Sequence, residues 1–299
     1  MLPSATEIVF ALGLGDQLEG VTYECDYPPE ATSKPVVSDT ALPQSRPLSA
    51  GEVDRLVTEF LERGEPIYIL NKELIQRIQP DLILAQDLCR VCAVPSGQVE
   101  DALRELGCSA RVISLDPNSI DDIFDGIVEV GRATGTEERA RELVAGLRDR
   151  VEGIRKAALR LPSIRTLALE WSDPPMAGGH WIPSMVEMAG GTNLLSVAGE
   201  GSIRVSWRQV VDALPEVIVF MPCGYYLQEA EEEADRLFAI PDFAETPAAR
   251  GGGVYAVDAT SYFSRPGPRI VDGLEILAWA IHPEAFAEAL PDQIIRVKG

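Results

Sequence analysis

Two α/β lobes joined by one long helix are predicted by three features of the sequence. From about residue 18 to Leu115, short apolar runs alternate with capped amphipathic segments. The alternation then stops, and apolar residues recur three and four apart from Ala140 to Ala158. Beyond Pro162 the alternation resumes. Strands alternating with helices signal a mainly parallel sheet with helices on both faces. The expected organisation is an N-terminal lobe over 1–116, a helical linker over 117–162 and a C-terminal lobe over 163–299, each lobe Rossmann-like.

In LPSATEIVFALG, Ser4 and Glu7 have the S-x-x-E spacing of a capping box, and Gly13 can end the helix. LEGVTYE reads as a strand. SAGEVDRLVTEFLERG repeats the box with Ser49 and Glu52, and its helix ends at Gly64. The strand PIYIL, the short helix NKELIQRIQ, the strand PDLILAQ, a helix around GQVEDALREL and the strand ARVISL complete the first lobe. One linker helix fits SIDDIFDGIVEVGRATG, opened by Ser119. A second runs from Thr136 to about Leu161, where Pro162 stops it. Its 25 or so residues would span roughly 37 Å, the height of two stacked domains. In the second lobe IRTLALEW, EVIVFMP and GGVYAVD read as strands, and HWIPSMVEMAG, SWRQVVDALP and PGPRIVDGLEILAWAIHPE as helices.

Composition narrows the function. The 299 residues are 46% hydrophobic and 24% charged, as expected of a globular protein with real cores. A formal charge of −21 argues against nucleic acid, which needs concentrated Lys and Arg. No apolar run reaches the ~20 residues of a membrane-crossing helix. Five thinly spread cysteines are no disulfide framework and suit a reducing compartment. The chain contains no G-x-S-x-G, P-loop, G-x-G-x-x-G or H-E-x-x-H, so no catalytic residues are expected.

In open parallel sheets, ligands bind at the carboxyl ends of the strands. Those segments here are rich in polar and aromatic groups: Tyr23 to Tyr27; Asp87 with Cys89 and Cys92; Trp171, Asp173, His180 and Trp181; Ser206 and Trp207; Cys223 to Tyr226; and Tyr262, Phe263 and Arg265. Large flat side chains with scattered donors suit a broad, planar, amphiphilic ligand. A closed zinc site needs about four ligands, and only Cys25 and His180 could join the Cys89–Cys92 pair, so that pair is expected to line the pocket and no protein metal site is expected. His180 could coordinate cobalt or haem iron as a neutral imidazole, or simply hydrogen-bond within its loop.

LPSATEI, the ECDYP turn, QDLCRVCA, the EW-x-D-P-P…GGHW segment, VSWRQV and RPGPRIVDGLEIL resemble the cobalamin-binding proteins of the helix-linked class of ABC-transporter substrate-binding proteins, across essentially the whole chain. That class also includes haem and siderophore binders. The resemblance implies a corrinoid, cobalamin or cobinamide, bound in the cleft between two lobes without catalysis. Trp171, Trp181, Trp207, Tyr262 and Phe263 would stack on it. Ser206, Asp173 and Arg265 would hydrogen-bond to its amides or phosphate, with Tyr23, Asp26, Asp87, Cys89 and His180 also lining the site. Glu73 and Glu187 match the acidic pair that docks on arginines of a transporter permease, although a first-turn Glu favours any helix. The rival class is a tetrapyrrole metal chelatase-like enzyme using His180, Glu24 and Asp26. Relatives carry an apolar strand before LPSATEI, whereas Met1 stands directly before it here. Either the true start lies upstream or the first sheet is unusual. With no export signal the expected location is cytoplasmic; an upstream start with a signal peptide would make it extracytoplasmic.

Overall fold

The structure is a computed structural model and describes residues 1–43, 48–87 and 94–298. The chain divides into two compact units. Unit 1 comprises Met1–Pro117 with Asp121–Val144, and unit 2 comprises Asn118–Ile120 with Ala145–Gly299. In chain order the first elements are α1 (Pro3–Ala11), β1 (Val21–Thr22), β2 (Val36–Thr40), α2 (Ala50–Arg63), β3 (Tyr68–Leu70), α3 (Lys72–Ile78), β4 (Leu82–Ala85), α4 (Ser96–Leu106), β5 (Arg111–Ser114), α5 (Ile120–Ala133) and the long α6 (Glu137–Ala158). The boundary between the units falls inside α6, so the segment expected as a separate linker is shared between them. At 22 residues α6 is about 33 Å long, a turn shorter than its sequence pattern suggests.

Two segments with the same S-x-x-E spacing begin helices differently. In α2, Ser49 Oγ accepts from the Glu52 N–H, and Glu52 Oε2 accepts from the Ser49 N–H at 3.0 Å, a complete capping box. Gly64 closes that helix at φ 66°. In α1 the expected box does not form. Pro3 takes the first helical turn, where its missing N–H is no loss, and Leu2 becomes the cap with no side-chain bond. Ser4 and Glu7 therefore lie inside the helix, both buried. The Met1 amino group donates to the Leu84 carbonyl, tying the start of α1 to β4.

Among the described residues the strands of unit 1 form a three-stranded sheet and a two-stranded sheet rather than one parallel sheet. β1 pairs parallel with β2, β2 pairs antiparallel with β3, and β4 pairs parallel with β5. β2, from KPVVSDT, was not expected from the sequence. Val37, Ile67, Ile75, Ile83, Ala85, Val99 and Leu103 form the main core of this unit.

Unit 2 contains β6 (Ile164–Ser172), β7 (Pro175–Ala177), α7 (Ile182–Met188), β8 (Gly191–Asn193), β9 (Ile203–Arg204), α8 (Trp207–Asp212), β10 (Val217–Phe220), α9 (Leu227–Leu237), α10 (Pro241–Ala244), α11 (Pro247–Gly251), β11 (Val254–Val257), α12 (Ala259–Tyr262), α13 (Ile270–Ile281) and β12 (Ile294–Arg296). The sheet order is β12-β11-β10-β6-β7-β9, with β8 also on β6. β6, β10 and β11 run parallel at its centre. Every residue of β10 and β11 is buried, which is why both read as unbroken apolar runs. Alternate residues Leu167, Leu169, Ile218, Phe220, Val254 and Ala256 join one core with side chains from α8 to α11. On the second half of α6, Arg150 bridges Asp272 at 2.5 Å and Glu275 at 2.8 Å, fixing it to α13.

Candidate functional site

In unit 2 three parallel strands end on loops that carry aromatic groups. β6 closes on Trp171 and Ser172, followed by Asp173, whose peptide to Pro174 is cis. The segment after β10 carries Tyr225 and Tyr226, and β11 leads into α12, capped by Asp258 through the Ser261 N–H at 2.9 Å. Trp171 and Tyr225 are half-buried and meet edge to face, centroids 5.5 Å apart. Tyr226 is exposed. Tyr262 is half-buried, with the Arg269 guanidinium 5.7 Å from its ring centroid. Behind this surface Ser172 Oγ donates to Glu233 at 2.6 Å, pinning α9 to the end of β6. Partly exposed aromatic faces thus collect where the strands end, with Asp173 exposed among them.

Other expected contact residues sit differently. Trp181 is buried and its indole N–H donates to the Phe263 carbonyl at 3.0 Å. Phe263 is also buried, as is Arg265. The two rings support the site from within and present no open face for stacking. Trp207 is half-buried with its ring edge-on to Phe243, a member of the core. Ser206 is exposed but engaged: its Oγ accepts from the Gln209 N–H at 3.2 Å and lies 2.9 Å from Gln209 Oε1, the capping box of α8.

The Gly178–Trp181 segment is clamped from several sides. The Gly179 N–H donates to Ser202 Oγ at 3.2 Å, and Ser202 Oγ donates to Glu170. A Cβ on Gly179 would lie 2.3 Å from the Ser202 backbone nitrogen, so only glycine permits this approach. His180 follows with φ 53°, its N–H donating to the Glu200 carbonyl at 2.5 Å and its carbonyl accepting from Gly199 at 2.9 Å. Its Nδ1 lies 3.2 Å from Asn118 Oδ1, and burial pushes its pKa down, favouring neutral imidazole. Burial pushes the Glu170 carboxyl up, opposed by its hydrogen bonds from Ser202 and Gly179. Glu170, Asn118 and Ser202 were missed in the sequence. A carboxylate near the end of the apolar strand IRTLALEW was the available signal for Glu170.

In unit 1, Tyr23 donates to Glu24 Oε1 at 3.1 Å, and burial, then the neighbouring Glu24 charge, raise its pKa. Asp26 is half-buried. Asp87 accepts from the Ser96 N–H at 2.8 Å, from Ser96 Oγ and from Ser114 Oγ at 3.1 Å, so its carboxylate anchors the first turn of α4. Cys89 and Cys92 lie outside the described residues. Among the described residues no cluster of three or more His, Cys, Asp or Glu is arranged to hold a metal ion. Glu73 and Glu187 are both exposed and without an ion pair among the described residues. Glu73 lies in the first turn of α3, as expected. Glu187 instead sits in the last turn of α7, where the helix dipole disfavours a carboxylate. No helix among the described residues is long and apolar enough to cross a membrane.

The family model described as "Periplasmic binding protein" matches residues 2–260. The chain belongs to the periplasmic binding protein family. Its relatives include an ABC transporter substrate-binding lipoprotein of Bacillus subtilis, 25% identical over 96% of this chain and 80% of that protein. A cobalamin-binding protein of Halobacterium salinarum is 28% identical, covering 94% of this chain and 68% of its own length. A periplasmic heme-binding protein from Roseiflexus has a solved structure with TM-score 0.70 and 26% identity, over 95% of this chain and 97% of that one. The fold also matches the periplasmic vitamin B12-binding protein of Vibrio cholerae, with TM-score 0.68, 24% identity and 94% coverage of both chains. As a periplasmic binding protein, the chain is a substrate-binding protein of the ABC uptake type.

Proposed function

We propose that this periplasmic binding protein binds a corrinoid, cobalamin or cobinamide, and delivers it without chemical turnover. The observation that carries the reading is the group of partly exposed aromatic rings, Trp171, Tyr225, Tyr226 and Tyr262, at the strand ends of unit 2. Flat rings with few fixed charges suit a planar macrocycle fringed with amides. Relatives named for vitamin B12 and cobalamin, matching 92% and 94% of this chain at 26% and 28% identity, support the same choice. Asp173, exposed beside Trp171, would accept from peripheral amide N–H groups. Visible absorption titration of the apoprotein tests the reading. Saturable binding of cobalamin or cobinamide with Kd below roughly 10 μM is expected, about 7 kcal/mol. Haem as the preferred ligand would favour the second reading, supported by the heme-binding neighbour of like fold.

Glu73 and Glu187 are the proposed contacts with a permease, each free to meet an arginine in a bidentate pair. Glu187 supports this because its helix position gives the carboxylate no local benefit. The double variant Glu73→Lys, Glu187→Lys should abolish coupled uptake in a reconstituted system while leaving corrinoid affinity unchanged. Uptake at the parental rate would remove both residues from the docking role.

A further inference from the structure

His180 is held more firmly than an ordinary loop histidine. Its N–H and carbonyl are both hydrogen-bonded to the 199–200 segment, and the preceding Gly179 is locked against the 200–202 backbone. Its side chain is fixed as well, because Asn118 Oδ1 can only accept and so places the ring proton on Nδ1. That leaves the Nε2 lone pair, which has no protein partner among the described residues. An imidazole anchored by Nδ1–H to an oxygen, with Nε2 open, has the usual arrangement of a metal-ligating histidine. Partial burial favours the neutral form that such a ligand needs.

One nitrogen cannot hold a free cation, and no cluster of three or more metal-binding side chains exists among the described residues. A metal meeting His180 must therefore arrive with its other positions already filled. We propose that His180 Nε2 is an axial ligand to the metal of a macrocyclic cargo, displacing water from an open position, with Asn118 as the positioning residue. This deepens the corrinoid reading and rests on it. The exchange is a simple ligand substitution: the metal–water bond breaks, a metal–nitrogen bond forms, and no electron is transferred.

Two cobinamides separate this contact from general ring recognition. Diaquocobinamide carries exchangeable axial water, whereas dicyanocobinamide has both axial positions blocked. The protein should bind diaquocobinamide at least about tenfold more tightly, with a visible band shift that reports nitrogen replacing water. His180→Asn, a residue that tolerates the left-handed backbone at this position, should remove the shift and bring the affinity for diaquocobinamide to within twofold of that for dicyanocobinamide on the same variant. Asn118→Leu should weaken the shift. Equal binding of both cobinamides, or a band shift that survives His180→Asn, overturns the axial role and leaves the corrinoid reading standing. If no corrinoid binds but haem does, with a Soret shift lost in His180→Asn, the axial role holds and the corrinoid reading fails. If no tetrapyrrole binds, both fail.

Discussion

Trp171 meets Tyr225 edge to face, with ring centroids 5.5 Å apart and planes at 72°. The contact joins the ends of β6 and β10, neighbours in the sheet, so each ring sets the angle of the other. Aromatic pairs of this geometry are worth about 0.5–1.5 kcal/mol beyond the area they bury. Trp171→Ala should weaken corrinoid binding on the order of tenfold, and Trp171→Phe should restore most of it. Titration of the three proteins side by side checks this. Equal affinity for the alanine variant would remove the pair from the ligand surface.

Ser206 gives the opposite expectation. Its hydroxyl is committed to the Gln209 N–H and side chain at the start of α8. Ser206→Ala should cost about 1 kcal/mol of stability by urea unfolding and leave corrinoid affinity within twofold. A large loss of affinity at unchanged stability would show that the hydroxyl serves the ligand instead.

Glu170 predicts a pH dependence with a definite sign. Burial raises its carboxyl above the unfolded value, so the folded protein holds this proton more tightly than the unfolded chain. Stability contributed by that proton is present below the ordinary carboxylate pKa and is lost as pH rises through the raised folded value. Glu170→Gln keeps an acceptor for Ser202 and removes the titration. Its stability relative to the parent should therefore increase from pH 5 to pH 8 in urea unfolding. A difference that stays constant with pH would contradict this account.

Much of the architecture was legible because its signals are local. The apolar runs of β6, β10 and β11, the three-and-four spacing of α6 and the capping box of α2 depend on neighbouring residues only. Ser4 and Glu7 show the limit of such signals, since Pro3 moved the helix start and turned a correct spacing into two buried polar residues. The antiparallel β2–β3 pairing, and the separation of β4–β5 from it, were hidden because register between distant segments leaves no periodic mark. The same distinction governs the site. The aromatic loops were readable by composition. That Trp181 is turned inward depends on a bond to Phe263, 82 residues away. Asn118 was invisible for the same reason, since its bond to His180 spans 62 residues.

The crystal structure of the protein grown with cobinamide tests the central claim most directly. The account predicts a corrin ring lying against Trp171 and Tyr225 at the carboxyl ends of β6 and β10, with its peripheral amides reaching Asp173. A bound ring that leaves these residues untouched, or a protein that crystallises without cobinamide when the ligand is at 100 μM, would contradict it.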